Sequence, residues 1–231
     1  MKTITISMVA MVTLLVLASV VGAQGPGTVR SAGTDLLAGL VGDMVRFERG
    51  MRTLEDLLAK NPNDLEAKVL HGNGVMARAG EAFKLGNNEK AIQLWQSGLD
   101  EMAQAVDAAP DNLFVRARRG VFMVTASRNT PPQMARPLLE TAVADFGKVL
   151  EIREREHTPA ERSVHQRGEL LTSLADGWDR LGDKEKARGY FERISEDLKG
   201  TVYGTRANAW LENKPEAKAA DFFACTGCHV E

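Results

Sequence analysis

Between residues 89 and 108 the apolar side chains Ile92, Trp95, Leu99, Met102 and Val106 recur at steps of three or four, the spacing that lines up one buried face of an α-helix. The stretch before it, 65–85, is free of proline and runs into Gly86-Asn87-Asn88. Glycine accepts the left-handed backbone that stops a helix, and Glu89-Lys90-Ala91 then starts the next one. Pro110-Asp111-Asn112 closes this pair of helices. The same order of signals returns at Leu181-Gly182-Asp183-Lys184-Glu185-Lys186-Ala187, with Tyr190, Phe191, Ile194 and Leu198 as the apolar stripe that follows. The pattern predicts antiparallel helix pairs. Composition agrees: the chain is 44% apolar with few β-branched runs and much Ala, Leu, Glu, Lys and Arg, so the expected fold class is all-α.

Self-similarity organises these pairs. Phe47-x-x-Gly50-Met51 falls on Trp95-x-x-Gly98-Leu99, and Asn61-Pro62-Asn63-Asp64 on Ala109-Pro110-Asp111-Asn112, both at one common offset. The same offset takes Gly72 to Gly120 and Gly120 to Gly168. A second, shorter spacing is shared by Gly72 to Gly86 and Gly168 to Gly182; Ala91 and Ala187 follow five residues later, and Trp95 and Phe191 four beyond those. Agreement at this many positions, with a period of about 48 residues, predicts an α-solenoid of antiparallel helix pairs.

Leu85-Gly86-Asn87-Asn88-Glu89-Lys90-Ala91-Ile92 and Leu181-Gly182-Asp183-Lys184-Glu185-Lys186-Ala187 resemble the inter-helix turn of tetratricopeptide repeats, and Asn61-Pro62-Asn63-Asp64 and Pro110-Asp111-Asn112 resemble that family's closing turn. The resemblance covers residues 43–211. The family repeats every ~34 residues; the longer period here implies about seven extra residues, two helical turns, in each helix. The third unit departs further, because Asn129-Thr130-Pro131-Pro132 lengthens its turn and Pro137 sits inside the next helix. Gly72, Ala91, Gly120 and Ala187 are expected where helices approach closely, and Trp95, Phe146 and Phe191 where space between units is filled. Residues 35–59 are expected to cap the amino end, and residues 203–211 with Trp210 the other.

The first residues read as an export signal. Lys2 and the amino terminus make a positive start, residues 8–21 are almost uninterrupted apolar sequence, and Val21-Gly22-Ala23 offers small residues to a signal peptidase. Cleavage would leave Gln24 first. An uncleaved membrane anchor stays open as the alternative. No Cys follows the apolar run to serve as a lipid attachment point, and no later segment is long and apolar enough to cross a bilayer. Lys and Arg number 29 against 31 Asp and Glu, a balance that argues against a nucleic-acid partner, since such binding is driven by neutralising phosphates.

Both cysteines of the chain lie in one stretch, Cys225-Thr226-Gly227-Cys228-His229, so no long-range disulfide framework holds the fold. Two thiols separated by two residues and followed at once by His match the attachment motif of a c-type haem. Cys225 and Cys228 would be the covalent tethers and His229 the axial ligand of the iron. Residues 219–231 also resemble the opening segment of a class I cytochrome c. With two residues after His229, the helices and Met-bearing loop that the resemblance implies are not encoded here, so the sixth ligand is expected from elsewhere. His71, His157, His165 and the methionines are candidates, beside a vacant position or a partner's ligand. Phe222 and Phe223 would lie against the porphyrin or dock the tail on the last repeat. Two other readings of the pentapeptide stay open: a Cys225–Cys228 thiol or disulfide pair, favoured by an oxidising compartment, and a metal site, for which only three nearby ligands are at hand. The charged run from Glu151 to Glu156 is expected to be a solvated helix face. No nucleophile triad, phosphate loop or paired carboxylates appear in the sequence, so an electron carrier or scaffold is expected rather than a catalyst.

The chain therefore divides into a signal peptide (1–23), an amino-terminal cap (24–42), a tetratricopeptide-like domain (43–211) and a linker with the haem-motif tail (212–231). The expectation is an exported, periplasmic or extracytoplasmic protein with one covalent haem c. Its partners would be proteins, a redox protein or a respiratory complex subunit, met by the concave face of the repeats. The rival is a haem-free adaptor whose two cysteines form a thiol pair, and a third possibility is haem sensing or delivery.

Overall fold

A computed structural model of the chain describes residues 27–40, 42–157 and 163–214. Within them run nine α-helices and no strand: α1 (Val29–Leu40), α2 (Met44–Lys60), α3 (Leu65–Lys84), α4 (Asn88–Ala108), α5 (Leu113–Ala126), α6 (Pro132–Glu156), α7 (Val164–Leu181), α8 (Lys184–Asp197) and α9 (Val202–Leu211). The helices expected over 65–85 and 89–108 are α3 and α4. Residues expected to cap the amino end form the hairpin of α1 and α2, and those expected at the other end form α9.

Local chemistry sets the boundaries. Asp64, Asn112, Asn87 and Asp183 each turn a side-chain oxygen onto a backbone N–H three residues ahead, of Ala67, Val115, Lys90 and Lys186. Each satisfies one of the donors a helix start leaves open. Gly86 (φ 76°) and Gly182 (φ 90°) hold the left-handed conformation. The N–H of Asn87 reaches back to the Ala82 carbonyl at 2.9 Å, as Asp183 does to Trp178 at 3.0 Å. These two turns, two periods apart, are copies. The unit between them differs as its prolines foretold. α5 ends in a 3-10 turn over Ser127–Asn129, and α6 opens on Pro132, where the missing N–H costs no helical bond.

The helices pack in pairs, α1 with α2, α3 with α4, α5 with α6 and α7 with α8, and α9 closes on α8. Alternate helices also meet, α1 on α3 and α3 on α5. Within the α3–α4 pair Gly72 lies against Gly98: a Cβ on Gly98 would stand 2.7 Å from the Gly72 carbonyl oxygen. The equivalent pair one period on is Gly120 against Phe146, whose ring edge is the nearest group. Phe191 is buried and stacks on Trp210, ring centres 4.2 Å apart, which anchors α9.

One face was misassigned from sequence. Ile92, expected in the buried stripe of α4, is 61% exposed, whereas Ala91, Gly98, Met102, Ala105 and Val106 are buried. The small residues let α3 approach until the contact line runs over Ala91 and Gly98. Trp95 and Leu99 then lie beside that line, half-buried.

Candidate functional site

A recess lies where α1, α3 and α5 stand side by side. Leu36 and Leu37 of α1, Leu70 and Ala77 of α3, and Val121 and Phe122 of α5 line it, with Asn73 and Arg118 as polar members. The positions from α3, residues 70, 73, 74 and 77, fall one full period before those from α5, residues 118, 121, 122 and 125. Both sets follow the i, i+3, i+4, i+7 rule for one helical face. Helices α3 and α5 thus present equivalent positions to the cleft. Glycine at position 74 brings the α3 backbone onto Met51 beneath it.

The cavity holds about 70 Å³, well below the ~300–1,000 Å³ of a pocket that encloses a small molecule. It accommodates one aliphatic side chain and not a porphyrin. Asn73 is 7% exposed. Its Nδ2 donates to the Arg118 carbonyl at 3.5 Å, a long bond, and its Oδ1 is buried with no partner among the described residues. The Arg118 guanidinium lies 5.1 Å from the Phe114 ring centre.

Buried aspartates clamped by arginines hold neighbouring elements together. Asp145, 0% exposed, takes Arg116 at 2.8 Å and Arg119 at 2.7 and 2.9 Å across the α5–α6 interface. Asp35 of α1 takes Arg46 and Arg49 of α2, and the Arg49 guanidinium holds its carboxyl below the usual value of 3.8. Asp176 meets Arg128 at 3.0 Å and Arg180 at 3.6 Å, yet burial pushes its carboxyl up, outweighing both arginines. The run expected to be merely solvated includes Arg153, which is partly buried and donates to Gln166 at 2.6 Å; burial lowers its pKa.

The sequence-derived haem residues Cys225, Cys228 and His229 lie outside the described residues, as do the export segment, the Gln24 site, Phe222 and Phe223. Of the candidate sixth ligands, His71 contacts Glu101 through Nδ1 at 2.7 Å. His165 meets the Tyr203 hydroxyl at 2.7 Å, and that hydroxyl donates to Glu169 at 2.8 Å. His157 ends α6 and donates its backbone N–H to the Arg153 carbonyl. Met51, Met76, Met102 and Met123 are buried in the core, whereas Met44 and Met134 are exposed. The three histidines sit on different elements, at the α3–α4 contact, the end of α6 and the start of α7. Among the described residues no three His, Cys, Asp or Glu side chains gather as a metal site, and no helix is long and apolar enough to cross a membrane.

No protein family model matches the chain, and no curated protein matches it.

The cleft escaped sequence reading because its equivalent positions carry unlike residues: Leu70 opposite Arg118, Asn73 opposite Val121, Gly74 opposite Phe122, Ala77 opposite Thr125. The period alone, projected onto one helix face, would have located it.

Proposed function

We propose that this chain is an exported, periplasmic or extracytoplasmic c-type protein carrying one covalent haem, acting in electron transfer, with a tetratricopeptide-like α-solenoid as its protein-docking scaffold. The pentapeptide Cys225-Thr226-Gly227-Cys228-His229 carries this reading. Cys225 and Cys228 would hold the haem covalently through thioether bonds, and the His229 imidazole would ligate its iron. That group, when bound, would supply one-electron exchange. The donor set suits it: two sulfurs and an adjacent imidazole match the attachment motif, whereas three ligands fall short of a closed structural metal site. A signal peptide at residues 1–23 would deliver the motif to the compartment where such attachment occurs, which supports the reading. The redox partner is a protein met by the repeats.

The test is the intact mass of the protein purified from its own host, with a haem stain of the denatured chain on a gel. A chain from Gln24 with one added haem, lost in Cys225→Ser and Cys228→Ser, is expected. A colourless protein with two titratable thiols overturns electron transfer.

A second reading, a haem-free adaptor with a Cys225–Cys228 thiol pair, is favoured by one observation, the apolar cleft between α1, α3 and α5. Unrelated functions share repeat folds, so the mass measurement decides between the two.

A further inference from the structure

Helix α9 ends as α3 and α7 end. At Gly86 and Gly182 the backbone turns left-handed, the turn residue's N–H meets a carbonyl three residues back, and the next N–H meets one five back. Asn213 repeats all three features: its φ is 52°, its N–H lies 3.0 Å from the Trp210 carbonyl, and the Lys214 N–H lies 2.9 Å from the Ala209 carbonyl. Among the described residues it is the one non-glycine residue with positive φ, a conformation that asparagine tolerates better than most. In the first two cases the turn leads into a second helix, α4 or α8, which packs back on the first.

The sequence past Asn213 keeps the same order. Pro215 takes the first helical position, where proline is favoured. Glu216 stands three residues after the turn residue, like Glu89 and Glu185, and Phe222 stands nine after it, like Trp95 and Phe191. Phe223 falls with Gln96 and Glu192, both exposed. Lys214 and Lys218 depart, standing where the other copies have a capping Asn or Asp and an Ala. Helix α9 meanwhile shows an open flank. Eleven, seven and four residues before the turn residue, α3 has Val75, Ala79 and Ala82, all buried, and α7 has Leu171 and Ala175, buried, and Trp178, half-buried. In α9 the same positions are Val202, 55% exposed, and Arg206 and Ala209, both half-buried.

We propose that the open flank of α9 is the seat of the chain's own residues 215–224, folded back as the second helix of a fifth hairpin with Phe222 on Val202. The register is that of the α3–α4 pair, where Gly72, fourteen residues before the turn residue, meets Gly98, twelve after it. Length agrees, since α9 has ten residues and so has the segment. Continuity favours this occupant over a second copy or another protein, because a tethered segment meets the flank at high effective concentration. The Cys225 pentapeptide then begins where α9 runs out, at the end of a packed helix. The inference does not rest on the haem, and its test uses a chain that cannot carry one.

That chain is the mature protein with Cys225→Ser and Cys228→Ser. Amide hydrogen exchange is expected to run about tenfold or more slower at residues 218–224 than in an unstructured chain. Phe222→Ser returns those residues to the unstructured rate, whereas Phe223→Ser leaves them within about twofold of the parent. Val202→Glu gives the same release from the other side; Val202 is exposed on α9, so α1–α8 keep their protection, and the result stays readable if Phe222→Ser unfolds. Oxidation of Val202→Cys paired with Phe222→Cys in the same background yields a crosslink within one chain. Unprotected exchange at 218–224 or equal effects of the two phenylalanine substitutions overturns the proposal. Crosslinks formed only between chains overturn it in favour of a second copy.

Discussion

The α3–α4 and α5–α6 hairpins are neighbouring helix pairs that solve the same packing problem in opposite ways. In the first, glycine meets glycine, and the helices close until backbone touches backbone at Gly72 and Gly98. In the second, Gly120 faces the Phe146 ring, and a buried cluster of Asp145, Arg116 and Arg119 bridges the interface. His71, at the position equivalent to Arg119, makes a more exposed pair with Glu101. One hairpin gains contact by removing side chains, the other by adding them. Each tolerates a different kind of damage.

The largest effect is expected at Asp145. Asp145→Ala leaves Arg116 and Arg119, both mostly buried, without their carboxylate, and loss of one partner of a buried ion pair costs ~3–5 kcal/mol. Urea unfolding monitored by circular dichroism measures it; a loss within about 1 kcal/mol, the scale of solvent-exposed pairs, would mean that solvent reaches the cluster.

Next comes Gly98→Ala, where the new Cβ meets rigid backbone, against Gly120→Ala, where it meets the edge of a ring. Overpacking of the first kind costs about 1–3 kcal/mol, and the second is expected to cost less because Phe146 can tilt. Equal losses in the two would erase the distinction between the hairpins. His71→Gln is a smaller perturbation, at most about 1 kcal/mol, the scale of partly exposed pairs. The same unfolding assay at neutral pH checks it.

The subtlest comparison is in slope against pH. Asp35 has a folded-state pKa below 3.8, so its stabilisation is present above that pH and is lost as pH falls through the depressed value. Asp176 is raised above 3.8, so its contribution is full below 3.8 and is lost as pH rises through the raised value. Asp35→Asn should therefore differ most from the parent above pH 3.8, and Asp176→Asn should remove a stability component that fades as pH rises. Parallel pH–stability curves for the two variants would contradict the assigned directions.

Much of the fold was legible because its punctuation is chemical and local. Gly86 and Gly182 stop helices through a backbone region that other residues avoid, and Asp64, Asn87 and Asn112 start them with a side-chain oxygen. The Pro131-Pro132 departure was visible for the same reason. The contact line on α4 was not, because hydrophobicity favours Ile92 while helix approach is decided by how small Ala91 and Gly98 are. The interface ion pairs were also hidden. Positions 71, 119 and 167 are related by the period, but they hold His, Arg and Arg, and the acidic partner lies 30 residues on for His71 and Arg167 and 26 for Arg119. As for the candidate site, the pentapeptide lies outside the described residues, and the cleft was not legible because it exists only when three helices stand together.

The ring stack of Phe191 and Trp210 has a spectroscopic consequence. Trp95, Trp178 and Trp210 fall in the second hairpin, the fourth hairpin and the closing helix, so replacing two of them at a time by Phe leaves a single emitter in a known element. Where each hairpin touches chiefly its neighbours, fraying can begin at one end. The emission of Trp210 alone would then report whether the helical domain unravels from α9 before Trp95 senses any change.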